Sequence, residues 1–247
     1  MVEFEFKEKY NVDDLLKIMS ILRGEGGCPW DAVQTHSSIK IDLLEEAYEA
    51  YDAITQNSAE MLREELGDLL LQVVFHSRIE EELGSFDFSD VADEICKKLI
   101  VRHPHVFSDT KVKDADEVLK NWDSIKKQTK EQKSFSETLL AVPEVFPSLM
   151  RAAKLGKRAF RAGVDDSEQV LLTALKELMS DIDKSDNKAL SAVLFYTANL
   201  LRIKGVDPEE ALKDFNDSFI QNFIKAENND ALKGKNLYTL SMDQPSD

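Results

Sequence analysis

Apolar residues recur along this chain at the three- to four-residue spacing of amphipathic helices, without the sustained alternation of an antiparallel sheet. Nine glycines and six prolines in 247 residues leave room for long uninterrupted helices. The pattern therefore predicts an all-α protein. The predicted helices span residues 12–23, 38–55, 59–82, 88–101, 115–131, 144–161, 167–183, 187–204 and 208–226.

A break in this pattern separates two sets of helices. Residues 132–142 are polar and are followed by Pro143 and Pro147, which is typical of a connection between domains. We therefore predict an N-terminal domain at 1–131, a linker at 132–143 and a C-terminal domain at 144–228. A faint internal repeat supports two domains, because residues 66–79 align without gaps on residues 190–203. The periodicity ends at Asn228, and the tail, 229–247, is expected to lack a fixed element.

Charge and composition limit the classes of partner. The net charge of −16 disfavours a nucleic-acid partner, because phosphate backbones require a basic surface. No apolar run approaches the roughly 20 residues that cross a bilayer, so we expect no membrane partner. Residues 1–10 lack the features of a signal peptide. Cys28 and Cys96 cannot form a disulfide framework, and a cytoplasmic location is predicted.

Two acidic clusters carry the candidate chemistry. Residues three or four apart share one face of a helix, so the acids of each cluster converge. The clusters lie on the helices predicted at 38–55 and 59–82 and consist of Glu45, Glu46 and Glu49, and of Glu65 and Asp68. An apolar stripe lies roughly opposite the first cluster and comprises Leu44, Ala47, Tyr48, Tyr51 and Ile54. Taken alone, the first cluster is better explained as a solvated face.

The helix at 59–82 favours a functional interpretation. It is apolar on almost every side, and its polar strip of Glu65, Asp68 and Gln72, with His76 beside it, is narrow. Such a helix is typically buried, and a buried carboxylate costs several kcal/mol unless it is neutralised. Arg63 alone cannot neutralise all these acids. A divalent cation shared with the first cluster can, because the short connection makes the two helices antiparallel neighbours.

The type of ligand indicates which cation to expect. Carboxylate oxygens select hard ions, so Mg²⁺ is predicted, with Mn²⁺ as a substitute. Such an ion commonly binds substrate phosphates on its open side. A di-iron centre is disfavoured, because helical di-iron proteins use Glu-x-x-His motifs and this chain has none.

Several uncommon strings resemble the MazG family of nucleoside triphosphate pyrophosphohydrolases. The resemblance runs in order over about residues 12–130, with a looser match at 149–158. The strings are Gly27-Cys28-Pro29-Trp30-Asp31, Gln34-Thr35, Leu44-Glu45-Glu46-Ala47-Tyr48-Glu49, Glu65-Leu66-Gly67-Asp68 and Arg102-His103-Pro104-His105-Val106-Phe107. The resemblance implies two tandem helical bundles, of four-helix type when dimerised, and a homodimer. It also implies Mg²⁺-dependent hydrolysis of NTPs and dNTPs to the monophosphate and pyrophosphate, as nucleotide-pool housekeeping.

The resemblance also assigns roles to residues. The implied metal ligands are Glu46, Glu49, Glu65 and Asp68. Glu45 would assist as a further catalytic residue, by binding metal or orienting the attacking water. The polyphosphate would be held by Arg102 and Lys126, with Lys98 next. Trp30 could stack on the base, although anchoring its loop to the core is the favoured interpretation.

The C-terminal domain departs from the family pattern. The repeat alignment places Glu177 at the position of Glu46. The other acids, Glu45, Glu49, Glu65 and Asp68, are replaced by Lys176, Ser180, Ala189 and Ala192. We therefore expect residues 144–228 to serve scaffolding, dimerisation or regulation. Two alternatives remain for the whole chain: a non-catalytic, metal-stabilised oligomerisation module, or a sibling enzyme such as a dimeric dUTPase or phosphoribosyl-ATP pyrophosphohydrolase.

Overall fold

A computed structural model describes residues 4–108, 134–180, 187–229 and 231–242, with the isolated positions 110, 112, 114 and 118. The chain forms two compact units, Met1–Lys126 and Lys127–Asp247. Within the described residues the regular structure is entirely helical, and the all-α prediction is confirmed. None of the described helices has the length and hydropathy of a membrane span.

The first unit follows the predicted helices closely. Its elements are α1 (Val12–Arg23), α2 (Pro29–Val33), α3 (His36–Ile39), α4 (Asp42–Thr55), α5 (Ala59–Glu82), α6 (Phe88–Arg102) and α7 (Pro104–Phe107). The single helix predicted at 38–55 is wrong at its start, because Lys40 and Ile41 separate α3 from α4. Thr35 begins α3 with a reciprocal capping box to Ser38. The helix predicted at 115–131 lies outside the described residues.

The core of this unit is built on the second half of α5. Val74, Phe75 and Ile79 of α5 are buried against Met19 of α1 and Ile39 of α3. At the other end of α5, residues 56–58 connect it to α4 as an antiparallel hairpin. Asn57 adopts a positive φ of 54° in this turn, a conformation that asparagine tolerates better than most residues.

The second unit is a separate helical assembly. Its elements are α8 (Phe135–Leu140), α9 (Ser148–Arg161), α10 (Glu168–Ser180), α11 (Asn187–Ile203), α12 (Pro208–Asn228) and α13 (Leu237–Met242). Helix α9 packs against α8, α11 and α12, and α10 packs against α11. The helix predicted at 144–161 is wrong at its start, because Pro147 is the N-cap of α9. The linker at 132–143 stays a prediction, and α8 lies within it.

The tail contains an element that periodicity did not predict. Helix α13 lies beyond Asn228, its Leu240 is buried, and the Asn222 side chain donates a 3.0 Å hydrogen bond to the Leu240 carbonyl. The expectation that the tail lacks a fixed element is wrong for these residues. Six residues are too few to show a helical period, and contact with α12 supplies the stability.

A buried asparagine joins α9 to α11 in the second unit. Asn199 is 2% exposed, and its amide donates to the carbonyls of Ala152, at 3.3 Å, and Phe195, at 3.0 Å. Its side-chain oxygen accepts from Arg202 Nε at 3.0 Å. Gly156 of α9 lies directly against this amide, and a β-carbon there would overlap the Asn199 side chain. The close approach of the two helices therefore requires glycine at 156.

Gly156→Ala should destabilise the second unit by about 1–3 kcal/mol, because Asn199 can yield only by breaking buried hydrogen bonds. Gly67→Ala is the matched control, since Gly67 is also helical and nothing lies within 4 Å of its added β-carbon. That control should be neutral or stabilising by up to about 1 kcal/mol. Thermal and urea unfolding measure both changes. Equal stability of the two variants would contradict this account of the α9–α11 contact.

Candidate metal centre

Three carboxylates converge where α4 faces α5. Carboxylate oxygens of Glu46, Glu49 and Glu65 all lie within 4.8 Å of one another. Glu46 and Glu49 lie one turn apart on α4, and Glu65 projects from α5. Glu46 and Glu65 are half-buried, whereas Glu49 is exposed. The structure therefore brings together acids from the two clusters, as the sequence predicts for a shared cation.

The crowding of negative charge alters the acidity of this cluster. Burial raises the pKa of Glu46, and the charges of Asp68 and Glu49 raise it further. Burial also raises the pKa of Glu65, with added effects from Glu49 and Glu64. Asp68 lies one turn beyond Glu65 on α5, and its charge contributes to the raised pKa of both groups. A divalent cation would replace this repulsion with attraction, and an all-carboxylate donor set suits Mg²⁺ or Mn²⁺.

The face of α4 that meets α5 differs from its apolar stripe. Ala50 and Ala53 are buried, and Glu46 lies on their side of α4. Because alanine is short, the two helix axes can approach closely enough for the acids to meet. Large stripe residues remain exposed: Leu44, Tyr48, Tyr51 and Ile54. The acids thus border the contact between α4 and α5.

The sequence predicts that α5 is buried along its whole length, and this prediction is correct for its second half. Gln72, Val74, Phe75 and Ile79 are buried, but Leu66 is 50% exposed beside the acidic cluster. The reason is that α1 and α3 cover only the second half of α5. The pattern of apolar residues cannot show which part of a helix its own unit covers.

The remaining predicted site residues occupy different places. Glu45 is exposed on α4 and is outside the group of three converging carboxylates. Lys98 is exposed on α6, and Arg102 is half-buried one turn later at the end of that helix. Helix α6 packs against α5, so both cations belong to the same unit as the acids. Lys126 lies outside the described residues.

Trp30 does not anchor its loop, since its side chain is 60% exposed. Arg23 does so instead. Its side chain, 5% exposed, donates to the carbonyls of Asp31, at 2.6 Å, and Gln34, at 3.2 Å. It also donates to both oxygens of Glu82, at 3.1 and 2.8 Å, and lowers the Glu82 pKa. The prediction that Trp30 anchors to the core is therefore wrong.

The Arg23 contact also locates this loop relative to the acids. Glu82 lies 14 residues beyond Asp68, which corresponds to about 21 Å along α5. Within the unit, the loop of Trp30 is thus held toward the end of α5 farther from the acidic cluster. The sequence offered a signal for Arg23, a single arginine at the end of an amphipathic helix, but not its partner 59 residues away.

The second unit lacks an equivalent centre among its described residues. Lys176 and Glu177 are exposed on α10, and Ala189 and Ala192 are half-buried on α11. Among the described residues, the side chains that come close enough together to hold a metal ion are those of Glu46, Glu49 and Glu65. This distribution agrees with the substitutions seen in the internal repeat.

Fold and site together define an all-α protein with a cluster of carboxylates that could hold a metal ion. The family model described as "MazG nucleotide pyrophosphohydrolase domain" matches residues 34–107. The nucleoside triphosphate pyrophosphohydrolase of Escherichia coli (strain K12) is 40% identical over 237 residues, covering 90% of this chain and 89% of the relative. The chain therefore belongs to the MazG family.

A further relative and a solved structure come from Thermotoga maritima. The nucleoside triphosphate pyrophosphohydrolase/pyrophosphatase MazG of Thermotoga maritima is 39% identical over 221 residues, covering 87% of this chain and 85% of that protein. The crystal structure of a mazG-related protein from Thermotoga maritima is 26% identical and covers 47% of this chain and 99% of that one, with a TM-score of 0.41.

Glu46→Gln should stabilise the metal-free protein at pH 7.5 and remove its stabilisation by Mg²⁺. The pKa of Glu46 is raised on folding, so its contribution to stability is favourable below the unfolded pKa and lost as pH rises through the folded value. Neutral glutamine removes the repulsion but also a ligand charge. Thermal unfolding in EDTA and in millimolar Mg²⁺ measures both effects. An Mg²⁺-induced shift as large as that of the unsubstituted protein would contradict the assignment.

Proposed function

We propose that this chain hydrolyses nucleoside triphosphates and deoxynucleoside triphosphates to the monophosphate and pyrophosphate in a Mg²⁺-dependent reaction. The convergence of Glu46, Glu49 and Glu65, with Asp68 beside them, carries the proposal. Four acids from two facing helices leave one side of a bound ion open for phosphate oxygens. Family membership and the names of the relatives in Escherichia coli and Thermotoga maritima support the same reaction.

The residues have distinct parts in this reaction. Glu46, Glu49, Glu65 and Asp68 hold the cation, which when bound offsets the negative charge that develops on the phosphates. Glu45, exposed beside this group, orients the attacking water and accepts its proton. The water oxygen bonds to the α-phosphorus while the α–β bridging bond breaks and pyrophosphate leaves. Arg102 and Lys98 on α6 neutralise the polyphosphate.

The repulsion within the cluster gives the proposal its physical basis. Burial raises the pKa of Glu46 and of Glu65, and the charges of the neighbouring acids raise both pKa values further. The two half-buried acids, Glu46 and Glu65, come from facing helices, so a cation between them would offset both the burial and the repulsion. Residues that sacrifice stability for local geometry are typical of functional sites.

We also propose that the protein is a homodimer whose interface includes α4. The exposed apolar side chains on its outer face are Leu44, Tyr48 and Ile54, at 54%, 61% and 61% exposure. Leu66 of α5 extends this surface beside the acids. A second copy offers the same face, so the interface is self-complementary about a two-fold axis. Covering these residues also surrounds the acidic cluster with protein, which strengthens its hold on a cation.

The protein should release pyrophosphate from nucleoside triphosphates. Incubation with the eight common NTPs and dNTPs plus Mg²⁺, with products separated by ion-exchange chromatography, measures this. EDTA should abolish turnover, and Mg²⁺ or Mn²⁺ should restore it. Orthophosphate with a diphosphate product would exclude attack at the α-phosphorus. Turnover restored by Fe²⁺ alone would indicate a di-iron centre, and hydrolysis confined to dUTP or phosphoribosyl-ATP would indicate a sibling activity.

Glu46→Gln should lower kcat by at least about 100-fold, because it removes a ligand charge from the catalytic ion. The matched control is Glu177→Gln, which makes the same change at the equivalent position of the second unit. Glu177 is exposed and lies outside the group of converging acids, so its variant should retain near-normal hydrolysis. Steady-state kinetics with one substrate compare the two. Loss of activity in Glu177→Gln alone would move the chemistry to the second unit.

Tyr48→Asp should weaken the dimer, since it places a charge in the centre of the apolar face of α4. Size-exclusion chromatography with light scattering should give a dimer mass for the unsubstituted protein and a concentration-dependent shift toward monomer for the variant. Asp13→Asn, an exposed change on α1, is the control and should leave the mass unchanged. A monomer mass for the unsubstituted protein would exclude this interface.

A further inference from the structure

Two histidines join α3 to α5 near the open end of the α4–α5 hairpin, which is the end opposite the turn at residues 56–58. His36 Nδ1 and His76 Nδ1 lie 2.7 Å apart, and the rings are nearly parallel, with an interplanar angle of 8°. On the far side of its ring, His36 Nε2 lies 2.8 Å from Glu80 Oε1. We call His36, His76 and Glu80 the histidine clasp. It lies apart from the acidic cluster, since His76 follows Asp68 by two helical turns.

The hydrogen-bond partners determine the protonation of the clasp. His76 Nε2 is buried and has no partner among the described residues. Gln72 Oε1, one turn earlier, is buried without a described partner too, so these two atoms are not bonded to each other. A buried N–H without an acceptor is the rarer and costlier case. His76 therefore carries its proton on Nδ1 and donates to His36 Nδ1, and His36 Nε2–H donates to Glu80.

The clasp lies at the end of the α4–α5 hairpin that has no connecting turn. Residues 56–58 fix one end of the hairpin through a tight turn. At the other end α3, which precedes α4 by two residues, is held by Ile39 in the core and by His36. The acidic cluster lies between these two ends, and repulsion among its like charges disfavours the close approach of the helices. The clasp opposes this separation from the end that has no covalent connection.

We propose that His36 and His76 are positioning residues that hold the start of α4 against α5, thereby set the spacing of the acidic cluster, and release it on protonation. A proton added at His36 Nδ1 places two N–H groups against each other. A proton added at His76 Nε2 creates a buried charge without an acceptor. If the His76 proton instead moves to Nε2 and His36 donates from Nδ1, the buried Nε2–H has no acceptor. Each of these arrangements costs free energy, so the clasp is closed at neutral pH and weakened under acidic conditions.

The lowered pKa of His76 is consistent with a clasp that weakens as pH falls. Burial lowers the pKa of His76, and the neighbouring His36 lowers it further. A group whose pKa falls on folding contributes stability above its unfolded pKa, near 6.5, and loses it as pH falls. The other charges on α5 beside the clasp are Glu80, which accepts from His36, and Arg78, Glu81 and Glu82. Arg78 pairs with both of these glutamates, and Arg23 from the end of α1 pairs with Glu82.

Hydrogen–deuterium exchange of the EDTA-treated full chain tests the clasp without any cation. After correction for intrinsic rates, protection of residues 36–46 should fall about tenfold or more between pH 7.5 and 5.5. The double variant His36→Gln, His76→Gln should have weak protection that changes less than about twofold over this range. His105→Gln, the same change outside the clasp, should behave as the unsubstituted protein. Equal pH dependence in the double variant overturns the proposal.

A single variant guards against a folding defect. His36→Gln changes a side chain that is 40% exposed, so the core remains intact if the double variant fails to fold. It should show the same loss of pH dependence in residues 36–46. Protection in His36→Gln that falls with pH as in the unsubstituted chain overturns the proposal.

The effect on spacing is tested with Mn²⁺ at pH 7.5 and rests on the proposed metal site. Electron paramagnetic resonance of free Mn²⁺ should show about fivefold or more weaker binding to His36→Gln than to His105→Gln, although every carboxylate is present. Equal affinity overturns the positioning role. If the unsubstituted protein binds no Mn²⁺, the proposed metal site fails, and the exchange experiment alone decides whether the clasp exists.

Discussion

Mutual repulsion among the carboxylates of Glu46, Glu49 and Glu65 is the constraint on which the first unit depends. Carboxylate oxygens of these groups lie within 4.8 Å of one another, and two of the three groups are half-buried. The structure maintains this arrangement because α4 and α5 meet through short alanine side chains and are fixed at both ends. The cost in stability is the condition for binding a cation strongly, since the same charges that repel one another attract a divalent ion.

The two halves of α5 have different roles. Its first half presents Glu65 and Asp68, and its second half supplies Val74, Phe75 and Ile79 to the core. The core end must be rigid for the acidic end to be placed accurately, since a site acts through residues whose supports are fixed. The connection from α1 to α3 is attached to the same rigid half by the contact of Arg23 with Glu82.

The second unit shows what remains when this constraint is absent. Helices α10 and α11 form a pair like α4 and α5, but the repeat carries alanines where the first unit has Glu65 and Asp68. Here Asn199, buried among three hydrogen bonds, fixes the approach of α9 and α11. The buried amide of Asn199 is thus paired with protein partners and stabilises the contact between the two helices.

Sequence alone determined the helices and the acids, because helical periodicity and capping are local properties and carboxylates at a spacing of three or four must share a face. Thus α1, α5 and the group around Glu46 were predictable. Tertiary structure decided which faces are covered: that Ala50 rather than Tyr48 meets α5, that Arg23 and not Trp30 holds its loop, and that His36 meets His76. These contacts join residues distant in the chain, and their strength comes from burial and geometry that no local pattern encodes.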